Sequence, residues 1–187
     1  GVKITSNQIK GLTSDAVDQM DLPEDVGLAV QSNLAVIITL GLQIDRLEQR
    51  LQEKVGQRAE YALLTSVPGI GRILATIILL ETGSMDRFST VGHFASYARC
   101  VDSQRISNGK KKGEGNTKNG NKYLAWAFVE AANFAMRFCA EAKRFYERKK
   151  ARTNNVVATK ALAHKLARAC FHILKERQPF NVGRCFV

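Results

Sequence analysis

The 187-residue chain is predicted to be all-α. Three observations lead there. From Leu22 to Gln57 apolar residues recur at steps of three and four, the period of a helix face. Tyr123 to Phe138, and the stretch from Asn154 to Lys175, repeat that period. No segment shows a convincing strand alternation. The expected architecture is a long coiled-coil-like helix within residues 1–60, then a compact helical domain over 61–187 that contains a helix-hairpin-helix. A chain of this length buries a core without disulfide staples.

Residues 1–21 are polar and hold at most one short helix. Leu22-Pro23-Glu24-Asp25 reads as a helix start, because Pro lacks only an N–H the first turn does not use, and acids suit the positive end of the helix dipole. Val30, Leu34, Ile37, Leu40, Ile44, Leu47, Leu51 and Val55 then form one seam. A helix of about 50 Å with such a seam needs a partner helix, in this chain or in a second copy, so a dimer or tetramer is expected through it. Gly41 and the step from Ile37 to Leu40 make the seam irregular.

Residues 61–81 read as two apolar helices around Val67-Pro68-Gly69-Ile70-Gly71. This pattern suits a helix-hairpin-helix. Gly69 and Gly71 permit positive φ and close backbone approach, and Ile70 plugs the core. The hairpin N–H groups and the next helix start, with Arg72, are placed to hold a DNA phosphate. An ordinary αα-hairpin takes the same Pro-Gly. Asp86 to Thr90 is a turn with Ser89 or Thr90 as N-cap, and a short helix follows from Val91 to Tyr97.

Arg99 to Lys122 is the stretch that points to function. It holds seven Lys or Arg against Asp102 and Glu114, four glycines, and little that could fill a core. It reads as a phosphate-facing loop between helical blocks, carrying Arg105, Gly109, Lys110, Lys111, Lys112, Lys118 and Lys122. After it, Tyr123–Phe138 shows an alanine-rich face for close helix packing, with Asn121 as cap and with Trp126 and Phe134 read as core. Lys143 to Arg152 is a basic joint, the last helix follows, and Pro179 to Val187 is expected to be a loosely ordered tail.

The net charge of +11 is uneven. Residues 1–60 carry six Lys/Arg and nine Asp/Glu, whereas residues 137–177 carry twelve Lys/Arg and three Glu. A basic block of this kind is the footprint of a nucleic-acid binder. Cys100, Cys139, Cys170 and Cys185 form no metal-ligand spacing and read as reduced cytoplasmic thiols. No apolar run reads as long enough to span a bilayer, so no membrane partner is expected. Glu81, Asp86, Asp102, Glu114 and Glu130 show no metal-binding pattern, which argues against a self-contained carboxylate nuclease.

Four features occur in order: Val-Pro-Gly-Ile-Gly at 67–71; Asp86, Phe88 and Ser89; Ser-x-Gly-Lys at Ser107 to Lys110; and Thr-Lys-Asn-Gly-Asn-Lys-Tyr-Leu at 117–124. With VVATKALAHKLARA at 156–169, residues 27 to 175 resemble the C-terminal domain of the DEDD-type insertion-sequence transposases, the RNA-guided bridge or seek-RNA recombinases. The resemblance implies a catalytic serine at Ser107 that attacks a DNA phosphodiester, double-stranded DNA and a guide RNA as partners, and an oligomer. It also implies an N-terminal domain, absent from this chain, whose carboxylates bind Mg²⁺; no cofactor is expected in this chain. Gly1 in place of Met fits a fragment. Two departures mark a subgroup: Arg99-Cys100-Val101-Asp102 stands where many members have Gly-Leu-x-Pro, and Leu124-Ala125 where many have Leu-Arg. Ser103 is the competing nucleophile. A non-catalytic DNA- or RNA-binding module is the alternative reading.

Overall fold

The computed structural model describes residues 5–101, 104–114 and 119–186, and the side chains of all of these except 104–106, 111 and 114. It is helical, as predicted, and divides into two compact units, Gly1–Lys54 and Val55–Val187.

In the first unit residues 1–21 hold two short helices where at most one is expected, because two separate Thr caps start them: α1 (Ser6–Lys10) begins at a capping box between Thr5 and Gln8, and α2 (Ser14–Asp18) is capped by Thr13. Gln31 on α3 (Glu24–Val55) ties α2 down: its amide donates to Ser14 O at 3.0 Å and to Asp18 Oδ1 at 2.7 Å, and it accepts from Ser14 Oγ at 2.9 Å. Val17 and Leu34 are buried. Most of the α3 seam is not: Ile37, Leu40, Ile44, Leu47 and Leu51 are exposed, and so are Val36, Ile38 and Leu42. No charged residue lies between Asp25 and Asp45. By length and composition alone α3 is therefore apolar enough to cross a membrane, with an 18-residue window of mean hydropathy 1.5. This corrects the expectation that no apolar run is long enough to span a bilayer: Gln31, Ser32, Asn33, Thr39 and Gln43 are polar but uncharged, and the aliphatic residues around them outweigh them.

In the second unit the chain runs through α4 (Ala59–Thr65), α5 (Arg72–Thr82), a 3-10 turn (Met85–Arg87), α6 (Val91–Tyr97), a ribbon of β1 (Gln104–Ser107) and β2 (Lys110–Glu114), α7 (Lys122–Phe138), α8 (Ala140–Lys150), α9 (Asn155–Glu176) and α10 (Val182–Phe186). The ribbon holds the only strands among the described residues. The core gathers around α7 and α9. Ala127, Ala131, Ala132 and Ala135 of α7, and Ala158, Ala163 and Ala167 of α9, are buried, so the alanine face packs as the sequence predicts. Small side chains let helix axes approach closely, and Phe94, Phe128, Leu124, Leu162 and Leu166 fill the space between them. Phe94 meets Phe128 and Phe88 edge-on, with ring centroids 6.0 and 5.2 Å apart.

Two expectations change. Trp126 and Phe134, expected in the core, are both exposed, on the α7 face away from the alanines. The tail, expected to be loosely ordered, is docked through α10: Arg184 pairs with Glu176 on α9, and Phe186 packs near Phe145 and Phe180. Phe180 N also donates to Ser66 Oγ at 2.9 Å.

The α4–α5 connection shows how tightly α7 is approached. Val67-Pro68-Gly69-Ile70 is a turn with Ile70 N bonded to Val67 O at 3.0 Å, and Gly69 has φ +86°. Pro second and Gly third is the chemistry of a type II turn. A Cβ on Gly69 would stand 2.2 Å from Ala131 O and 2.6 Å from Ala135 N. Gly71 has φ −83°, and a Cβ there meets nothing within 4 Å. Gly69→Ala should therefore cost about 3 kcal/mol or more, from overpacking and positive-φ strain together. Gly71→Ala should stay within about 0.5 kcal/mol of the parent. Urea unfolding of the two variants checks the pair.

Candidate nucleic-acid interface

The basic stretch is built on a fixed base. At its start Arg99 turns the chain with φ +53°, and its Nη2 donates to Gly120 O at 2.9 Å. At its end Asn121 N donates to Tyr97 O at 2.6 Å. Gly120, at φ +88°, lies so close to α6 that a Cβ would stand 2.5 Å from Tyr97 O. The Asn121 side chain works in two directions. Its oxygen accepts from Tyr123 N and Leu124 N at 2.8 and 3.0 Å, which caps α7 as expected. Its Nδ2 donates to Glu81 at the end of α5 and reaches the Tyr97 hydroxyl at 3.5 Å. That hydrogen bond, helped by the guanidinium of Arg87, holds the Tyr97 hydroxyl below its ordinary pKa. Arg87 lies over the rings of Tyr97 and Phe88, 4.6 and 4.8 Å from their centroids.

Within these limits the stretch is not an open loop. β1 and β2 pair antiparallel, with Ser107 opposite Lys110 and Ile106 opposite Lys111. Asn108 and Gly109 form the two-residue turn, with φ +52° and +71°. Positive φ at both central residues is the type I′ geometry that suits a twisted hairpin, and Asn-Gly is its commonest sequence. A register shift after Arg105 leaves Lys112 without a partner, a β-bulge beside the tip. The signal for this turn, Asn108-Gly109, lies inside the Ser-x-Gly-Lys motif.

The pairing brings Ser107 and Lys110 together, because directly opposite residues of an antiparallel pair share a face with Cβ atoms about 5 Å apart. Both are exposed, as are Gly109 and Lys112. Among the described residues no side chain hydrogen-bonds Ser107 Oγ. Arg105 and Lys111 lie in the strands, and their side chains are outside the described set. Lys118, Asp102 and Ser103 lie outside the described residues altogether. Lys122 begins α7, exposed, with its Nζ 5.0 Å from the Tyr123 ring centroid.

The hairpin-helix residues divide. Gly69 faces α7 and Ile70 is buried beneath the turn, whereas Gly71 and Arg72 are exposed at the start of α5, where no side chain caps the helix. Glu81, which holds Asn121, is ten residues along α5 from Gly71, about 15 Å at 1.5 Å per residue. The turn and the ribbon base therefore sit at opposite ends of α5.

Residues 61–147 match the IS116/IS110/IS902 transposase family. That region contains the turn at Gly69, the ribbon and α7. The chain is similar to an uncharacterized 43.6 kDa protein of insertion element IS110 from Streptomyces coelicolor, 32% identical over 90 residues, covering 48% of this chain and 22% of that protein. It is also similar to the transposase for insertion sequence element IS1328 from Yersinia enterocolitica, 28% identical over 144 residues, covering 74% of this chain and 43% of the relative. The chain thus spans less than half the length of either curated relative.

Among the described residues no three His, Cys, Asp or Glu side chains come together to hold a metal ion. The four cysteines are free thiols. Burial pushes the Cys100 thiol up to about 12 and the Cys185 thiol up to about 11, and raises that of Cys170 as well. A raised pKa keeps the thiol protonated until the pH approaches it, and the protonated form is a poor nucleophile. Cys100, beside the ribbon, is thus expected to react with a thiol reagent at pH 8 far more slowly in the native chain than in denaturant. Mapping the labelled peptide by mass spectrometry checks this. Asn121→Ala removes both cap bonds and the link to Glu81. It should lower stability by about 1–2 kcal/mol, read by thermal unfolding.

Proposed function

We propose that this chain is the DNA-handling part of a transposase that mobilises an insertion sequence, and that Ser107 attacks a DNA phosphodiester. The observation that carries the reading is Ser107 directly opposite Lys110 at an exposed ribbon tip inside the transposase region. A serine nucleophile on phosphate needs a reachable hydroxyl, positive charge at the phosphoryl oxygens and a base. Lys110 and Lys112 supply charge, and the turn at Gly109 lets backbone approach. As the Oγ–P bond forms, the bond from phosphorus to one deoxyribose oxygen breaks. The serine proton passes to a base, and the leaving oxygen takes up a proton. The phosphoserine ester keeps the DNA linked for rejoining, which suits recombination better than hydrolysis.

No His, Asp or Glu side chain among the described residues hydrogen-bonds Ser107 Oγ, and Asp102, the nearest carboxylate in sequence, lies outside the described residues. In this reading the carboxylates and Mg²⁺ belong to an N-terminal domain, and α3 joins copies of the protein into a dimer or tetramer through its exposed seam. The enzyme acts in a prokaryotic cytoplasm on double-stranded DNA selected by a guide RNA. Gly71 and Arg72 at the start of α5 give a second phosphate contact.

The test uses the full-length protein with guide RNA and nicked target DNA, run on denaturing gels. A protein–DNA adduct should form and vanish in Ser107→Ala while persisting in Ser103→Ala. Loss only in Ser103→Ala would move the nucleophile. Tight DNA binding with no adduct in any variant would leave a non-catalytic DNA- or RNA-binding module. With five phosphates neutralised, log K should fall against log salt with a slope of about −4.5. A salt-independent affinity would sink both nucleic-acid readings.

A further inference from the structure

One face of α7 is fully buried, and the opposite face is largely open to solvent. Positions 123, 126, 130, 134 and 137 step by three and four, so Tyr123, Trp126, Glu130, Phe134 and Arg137 form a single stripe. Tyr123 is 53% exposed, Trp126 48% and Phe134 40%. Single exposed apolar residues are ordinary, but three aromatic rings on one stripe mark a contact surface. A cation lies over a ring at each end. Lys122 Nζ is 5.0 Å from the Tyr123 centroid, and Arg137 Cζ is 5.6 Å from that of Phe134.

Charge selects the occupant. Residues 55–187 carry 23 Lys/Arg against nine Asp/Glu. The core of a protein–protein contact is depleted in charge, whereas surfaces for unpaired strands combine aromatic faces with cations. From Tyr123 to Arg137 the stripe runs about 21 Å, the length of about six nucleotides stacked at ~3.4 Å. Lys122 joins it directly to the ribbon segment.

We infer that the exposed face of α7 is a stacking platform for an unpaired DNA strand. Bases stack on the exposed parts of Tyr123, Trp126 and Phe134, and the phosphates between them run past Lys122 and Arg137. Glu130, half-buried, is the one carboxylate on the stripe and opposes the strand. The inference rests on the nucleic-acid reading of the ribbon but assigns this face a separate partner: duplex phosphate belongs to the ribbon, and opened strand to α7.

Trp126 is the only tryptophan, so its fluorescence reports this face alone. The full chain is titrated with oligo-dT, oligo-U and a blunt duplex. Oligo-dT should quench Trp126 and protect it from acrylamide. Phe134→Ala, which keeps the reporter, should weaken oligo-dT binding about 5- to 100-fold and leave duplex binding unchanged. Tyr123→Ala should act in the same direction, and Glu130→Gln should tighten oligo-dT. Oligo-dT binding that leaves Trp126 fluorescence and the Phe134→Ala affinity unchanged would overturn the inference. So would tenfold tighter binding of oligo-U, which would make the face an RNA site. Concentration-dependent shielding of Trp126 without DNA, abolished in Phe134→Ala, would make it a contact between copies. Duplex binding without oligo-dT binding overturns this inference alone, whereas loss of both overturns the nucleic-acid reading with it.

Discussion

The backbone of α7 is the surface against which the second unit assembles. Gly69 sits where a Cβ would stand 2.2 Å from Ala131 O, and buried alanines run along the same face of the helix. Close packing of this kind depends on the absence of atoms: a methyl group on Gly69 has nowhere to go, because the obstacle is helix backbone and not a side chain that can rotate. With α5 held there, Glu81 at its other end meets Asn121, and Asn121 in turn caps α7. One close contact therefore sets the position of the helix that closes the ribbon.

The ribbon inherits its placement from that base. Arg99 and Asn121 hold its two ends to Gly120 and Tyr97 through hydrogen bonds, and Arg87 covers the Tyr97 ring. An Asn-Gly turn then fixes the register, which brings Ser107 opposite Lys110. A basic segment with almost no apolar content thus acquires a definite tip without a core of its own. The ends are tied by the Arg99 side chain on Gly120 O and the Asn121 backbone on Tyr97 O, and the middle by strand pairing.

Much of this was legible. Pro68-Gly69 specified its turn, Asn121 its cap, and Ile70 its burial, because turn and cap chemistry is local. Asn108-Gly109 is equally local, but the strands it connects carry no pattern of their own, because Gln104 to Glu114 lacks the apolar alternation of a half-buried strand. The exposure of Trp126 and Phe134 was not legible. An aromatic at helical spacing looks the same whether the side it faces is covered by a neighbouring helix or left to solvent. The docked tail is hidden for a related reason: Phe186 packs near Phe145 of α8 and Phe180 N bonds Ser66 Oγ, and both partners lie far away in sequence.

The amino-acid order by itself determined the helices, their caps, the turn at Gly69 and the positive charge of residues 55–187, since each depends on residues within a few positions or on a simple count. Tertiary structure alone decided which face of α7 is covered, that Gly69 is spoken for by α7 while Gly71 and Arg72 stay open, and that Glu81 secures the ribbon's base. Those outcomes depend on which helix arrives at which side, and burial is a property of the whole packed unit that no local spacing encodes.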